Sequence, residues 1–150
     1  MSGQDDFFLR HTAQDRLIDY WWDVDANDAR RAGDFYTADC IYQMLEHRMD
    51  GPAEVDAYYA YRRGRGERLV RHVLTNLQSR VVTAREVSVK GVLTVYATDG
   101  APVQPSAPPI LVADNEATLV QEDDGVWRMR LHSITALFRG GVPVLVPPRP

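Results

Sequence analysis

The chain is almost without cysteine and lysine: Cys40 and Lys90 are the single examples of each in 150 residues. A lone cysteine cannot form an intramolecular disulfide; thiolate metal sites and redox pairs are excluded with it, and a reducing compartment fits. A basic surplus is missing too. Seventeen Lys and Arg against 21 Asp and Glu leave a net charge of −4, which gives no electrostatic footprint for nucleic acid. No apolar run approaches the ~20 residues of a membrane-spanning helix. The first residues, MSGQDDFFLRHTAQD, are acidic where a secretory leader would be basic. A cytoplasmic protein with no membrane or nucleic-acid partner is expected. P-loop, GxGxxG, GxSxG and HExxH signatures are all missing. Nucleotide binding and serine-hydrolase chemistry therefore have no support. No set of His, Asp and Glu has metal-ligand spacing, so no metal is expected.

What is present is a globular composition, 45% apolar and 25% charged, at a length that suits one core. One domain is expected over residues 1–150. Residues 1–11 read as an N-terminal arm whose Phe7, Phe8 and Leu9 dock on the body. A helix is predicted from Thr12, whose hydroxyl would cap it with Asp15 three residues on. Ile18, Trp21, Trp22, Asp25 and Ala29 then share a face at spacings of three and four. Asn27 and Asp28 break this pattern, and a short second helix ends before Gly33. Cys40 to Met44 alternates as a strand. Gly51-Pro52 opens a helix over 53–63, with Val55, Tyr58 and Tyr59 inward and Arg62 a further candidate for that side.

From Leu69 the period becomes two. Four strand-like runs follow, about 69–83, 86–97, 110–122 and 126–138, the last two joined by the hairpin signal Asp123-Asp124-Gly125. A proline-rich loop spans Thr98 to Pro109, and residues 139–150 read as an extended tail. Helices followed by long antiparallel strands define an α+β fold, a curved sheet with helices closing one face.

Two residues stand out chemically. In LVRHVLTNLQSR, alternation puts Val70, His72, Leu74 and Asn76 on one strand face. An imidazole among aliphatic neighbours stays neutral and can act as a base near neutral pH; equally, it can be a core histidine satisfied by a carbonyl. Asp25 lies on the helix face of Ile18, Trp21 and Trp22, where an unpaired carboxylate costs several kcal/mol. A buried aspartate facing a buried histidine would fix its tautomer and stabilise the imidazolium; a helix cap or a solvated end is the alternative. His132 alternates with Arg128, Arg130 and Ile134, opposite Trp127, Met129 and Leu131, and is expected on the outer face. His11 and His47 fall in the arm and a turn.

The segments YWWDVDANDARRAGDFYTADC, RHVLTN and EDDGVW, in that order, resemble the SnoaL-like branch of the nuclear transport factor 2-like superfamily over about residues 12–138. The resemblance implies a cone, in which a strongly curved antiparallel sheet forms a half-barrel around a deep apolar pocket closed by N-terminal helices. It gives Asp25 and His72 the places of the catalytic aspartate and histidine base of the scytalone dehydratase and dehydrochlorinase members, and Asn76 a polar position after that histidine. The chain also departs from the pattern. The dehydratase's second histidine is replaced within Val89-Lys90-Gly91-Val92, its tyrosine before the aspartate by Val24, and its other tyrosine falls near Tyr42 or Met44. Tyr20 stands where the dehydrochlorinase has lysine.

The function implied is a cofactor-free lyase or isomerase of dehydratase, dehydrohalogenase or polyketide-cyclase type. His72 and Asp25 would remove a carbon-bound proton from a small apolar, cyclic substrate. Tyr42, Asn76, Tyr20, Trp22, Asp114 and Glu116 are candidate substrate contacts, the last two subject to strand register. The rival readings are a non-catalytic subunit like the small subunits of ring-hydroxylating dioxygenases and a ligand-binding accessory protein. A homodimer or higher homo-oligomer is expected; the resemblance implies pairing through the outer sheet face, with Arg128, Arg130 and His132 interleaved with Ile134 and Phe138.

Overall fold

The structure, a computed structural model, describes residues 1–140. Helix α1 runs Gly3–Ala26, and a 3-10 turn Ala32–Phe35 leads into β1, Tyr36–Met44. Then come β2 (His47–Asp50), α2 (Pro52–Arg63), β3 (Arg68–Thr83), β4 (Glu86–Asp99), β5 (Leu111–Gln121) and β6 (Trp127–Arg139). The predicted tail beyond Gly140 lies outside the described residues.

The expected arm is the start of α1. Ser2 accepts from the Asp5 amide at 3.1 Å while the Asp5 carboxylate accepts from the Ser2 amide at 3.0 Å, a capping box that starts the helix ten residues early. Thr12 is mid-helix and donates to the Phe8 carbonyl, and Phe7 and Phe8 stay exposed. The buried stripe is Ala13, Leu17, Tyr20, Trp21 and Val24. It is rotated from the expected face far enough to leave Trp22 57% exposed. The buried Asp23 ends α1: its carbonyl accepts from Asn27 and Ala29, and its carboxylate from the Arg31 amide and the Asn27 side chain. Asp28 and Ala29 turn the chain through positive φ. In place of the expected short helix, Gly33 donates to the Asp56 carboxylate at 2.8 Å, and a Cβ there would strike that carboxylate. Its lack of a side chain lets α2 close on the turn.

The sheet order is β2-β1-β6-β5-β4-β3. Strands β3 to β6 form an antiparallel meander and β1–β2 an unforeseen hairpin, but β1 pairs with β6 in parallel. The sheet is thus mixed rather than antiparallel, curved and unclosed, with the helices over its concave face. Bulges bend it. In β3 the bulge falls at Asn76, at φ 54°, where Asn76 and Leu77 oppose Gly91 of β4. A Cβ on Gly91 would stand 2.9 Å from the Thr75 carbonyl oxygen.

A second bulge, between the pairs Thr118–Leu131 and Leu119–Met129, lies at Arg130. It reverses the alternation of β6. Trp127 and Met129 point inward, Leu131 is 45% exposed, and His132 and Ile134 are buried. The expected outer positions of His132 and Ile134, two of the five residues of the expected dimer face, are therefore corrected.

Candidate active site

Asp25 sits in the last turn of α1, above the first residues of β3. Its carboxylate accepts twice from one residue: from the His72 amide at 2.7 Å and from the His72 ring at Nδ1 at 2.6 Å. The side chains are 9% exposed for His72 and 4% for Asp25. An ionised carboxylate only accepts, so Nδ1 carries the proton and Nε2 the lone pair. Trp21 stacks on the imidazole with centroids 4.3 Å apart and an interplanar angle of 20°. Burial lowers the His72 pKa from the ordinary imidazole value, the Asp25 bond and charge oppose this, and Arg62 and Arg68 lower it further. The ring is neutral at neutral pH, a state suited to taking a proton at Nε2.

His72 lines an open cavity of about 540 Å³, mouth included. Its walls are aliphatic residues of β1, β3, β4 and β6 and the loop before β5, with Trp21, Tyr42, Tyr58, Tyr59, Arg62 and Arg68 as the other aromatic and polar members. Beneath the wall lies an aromatic block. Tyr20 and Tyr59 share a hydroxyl–hydroxyl bond of 2.6 Å. His132 lies flat against Tyr42, 4.3 Å between centroids, its Nδ1 2.7 Å from the Tyr36 hydroxyl and its Nε2 3.2 Å from Asn115 Oδ1. The amide oxygen accepts, so His132 carries its proton on Nε2 and Nδ1 accepts from Tyr36. Burial alone pushes the His132 pKa down to about 3. It also pushes the hydroxyls of Tyr20, Tyr36 and Tyr42 upward, which keeps them neutral. Within this block the buried Trp21 Nε1 and Asn115 Nδ2 have no formed hydrogen bond among the described residues, and the Tyr42 hydroxyl lies close to those of Tyr20 and Tyr59.

His72 and Tyr42 thus line one cavity, with Asp25 bonded to His72 behind the wall and Tyr20 in the block beneath it. Four sequence candidates do not reach it. Trp22 faces solvent on α1. Asn76 is exposed because its bulge ends the alternation that begins at Val70. Asp114 and Glu116 are exposed, and it is Asn115 between them that points inward. Sequence reasoning missed Tyr59, Arg62, Arg68, Asn115 and His132. The one-and-three spacing of Tyr58, Tyr59 and Arg62 was a usable signal; for His132 there was none, since a bulge leaves no mark in the alternation.

A curved, unclosed sheet with helices over a cavity defines the α+β class of cystatin-like folds, to which a structurally similar protein from Nostoc punctiforme is assigned. Within that class the chain belongs to the SnoaL-like domain family, whose model matches residues 9–132. A putative scytalone dehydratase from Novosphingobium aromaticivorans superposes with a TM-score of 0.81 at 16% identity, over 96% of this chain and 94% of that one. Aln2 from Streptomyces gives 0.73 at 19%, over 91% and 93%. A Catenulispora acidiphila protein in complex with S-DNPA gives 0.68 at 17%, over 85% and 92%. Among curated proteins no sequence matches.

Proposed function

We propose that the protein is a cofactor-free lyase or isomerase, of dehydratase, dehydrohalogenase or cyclase type, that removes a carbon-bound proton from a small apolar cyclic molecule. One observation carries this reading: a neutral imidazole at a cavity wall, held at Nδ1 by a buried carboxylate and without a hydrogen bond to any described residue at Nε2. His72 takes the proton; Asp25 orients the ring and offsets the imidazolium charge. Tyr42, which lines the cavity, is the candidate donor to an oxygen of the ligand. A structurally similar Catenulispora acidiphila protein occurs in complex with S-DNPA.

The test is exchange of carbon-bound hydrogen with deuterated water, followed by NMR on hydroxylated or halogenated cyclic ketones and polyketide fragments. His72→Ala should slow exchange by roughly 10²–10⁴-fold, and Asp25→Asn should also slow it, because tautomer and charge stabilisation are both lost. Because the His72 pKa is lowered, the rate should hold below the usual imidazole range before it falls with acid. Exchange that survives in His72→Ala would remove His72 from the mechanism.

A further inference from the structure

Arg62, in the last turn of α2, and Arg68, the first residue of β3, line the same cavity as His72. The same two residues, with Arg30 and Arg63, line an adjoining open recess of about 940 Å³, mouth included, whose acidic members are Asp28 and Glu67. In a chain of net charge −4, four arginines around one opening reverse the sign locally. Two are engaged with the end of α1: Arg63 donates to the Asp28 carbonyl at 2.9 Å, and Arg30 stands 3.8 Å from the Asp28 carboxylate. The other two are under-compensated. Arg62 has no carboxylate partner among the described residues and rests 5.7 Å over the Tyr59 ring. The Arg68 side chain is only 9% exposed, yet its ion pair is a 3.5 Å contact with Asp99, itself 77% exposed.

A guanidinium this buried is ordinarily paired closely. Here a long, solvated contact stands in for a partner, and a second guanidinium lies close enough to repel it. An anion between them would offset the repulsion of the two cations, and the planar fork of arginine matches a carboxylate in particular.

We propose that the ligand of this cavity is a cyclic carboxylic acid whose ring enters the apolar lumen while Arg62 and Arg68 hold its carboxylate at the mouth. This rests on the reading of the cavity as a small-molecule site and names the charged group of that molecule. It also gives the base a partner. The two arginines now weaken His72 as a proton acceptor, and a bound carboxylate cancels their field, so the base is strengthened when the ligand is in place.

The probes are 2-naphthoate and 2-naphthamide, which share a ring and differ in charge, titrated calorimetrically into the full chain. Naphthoate should bind roughly tenfold to hundredfold more tightly, and the difference should shrink as salt is raised. Arg62→Gln and Arg68→Gln should each remove most of the advantage without changing naphthamide binding. Arg68→Lys should restore part of it, and Arg63→Gln should leave it intact. If Arg68→Gln does not fold, Arg62→Gln, on the less buried helix end, carries the test. Equal affinity for the two probes, no measurable binding of naphthoate, or naphthoate binding indifferent to both arginine variants would overturn the proposal. His72→Gln should still bind naphthoate. Charge-selective binding without proton exchange would sink the base and keep the anion site. Proton exchange on neutral ketones in a protein that does not prefer naphthoate would do the reverse.

Discussion

His132 makes the folded state sensitive to mild acid, and the size of the effect follows from its surroundings. Its ring is buried between Tyr42 and the Tyr36–Asn115 pair, and its pKa falls from 6.5 to about 3 on folding. A base whose pKa is lowered by folding binds fewer protons folded than unfolded. Stability is therefore full above the unfolded value and is lost as pH falls from about 6.5 toward about 3. The slope is about 1.4 kcal/mol per pH unit once the unfolded chain is protonated. From about pH 7.5 to about pH 4.5 this amounts to about 3 kcal/mol from His132 alone. His72 adds in the same direction.

The assay is urea unfolding across that interval, above the range where the lowered carboxylates Asp5, Asp50 and Asp124 begin to contribute. His132→Gln cannot titrate. It is expected to be less stable throughout, but its pH slope should be shallower by the His132 share. Imidazole carbon–proton NMR shifts supply a check that needs no variant, since the His132 ring should keep its neutral shift down to about pH 4. A folded-state His132 titrating near 6.5, or parallel slopes in the two proteins, would refute the reasoning.

Three further outcomes follow from the packing. Trp21→Ala should cost about 3–5 kcal/mol in chemical denaturation, whereas Trp22→Ala should stay within about 0.5 kcal/mol because that ring is exposed; equal losses would mean the helix face is wrong. Gly91→Ala sets a methyl against the Thr75 carbonyl at the β3 bulge and should destabilise by about 1–3 kcal/mol, and a neutral result would show the bulge can relax. Tyr96, Leu131 and Phe138 are exposed on β4 and β6, and we expect a two-fold dimer that buries more than about 1,200 Å² on this side of the sheet. Light scattering that gives a monomer at micromolar concentration would exclude it.

What was legible in the sequence was local. The strand alternation from Leu69 onward, Pro52 opening α2 and the inward faces of Asp25 and His72 all reflect neighbours a few residues apart. What was not legible depended on pairing. The parallel contact of β1 with β6 joins segments about ninety residues apart, and no short-range pattern encodes it. The bulges at Asn76 and Arg130 each shift the two-residue period by one. The positions that follow them change face until the next register shift, which misplaced Asn76 and His132. Asp114 and Glu116 were read against the alternation, which already put Asn115 on the apolar side. The early start of α1 was written in Ser2 and Asp5 but outweighed by the apolar Phe7 and Phe8, which the fold leaves in water.

The double grip of Asp25 on the amide and ring of His72 has a stereochemical corollary. With Nδ1 committed to the carboxylate, the imidazole can gain and release protons at one atom only, and the backbone bond keeps that atom from swinging to another side of the cavity. Whatever proton His72 lifts from one face of a ligand, it can return only to that same face. A reaction in which it serves as both base and acid would therefore be suprafacial, and an elimination in which the same nitrogen also protonates the leaving group would be syn.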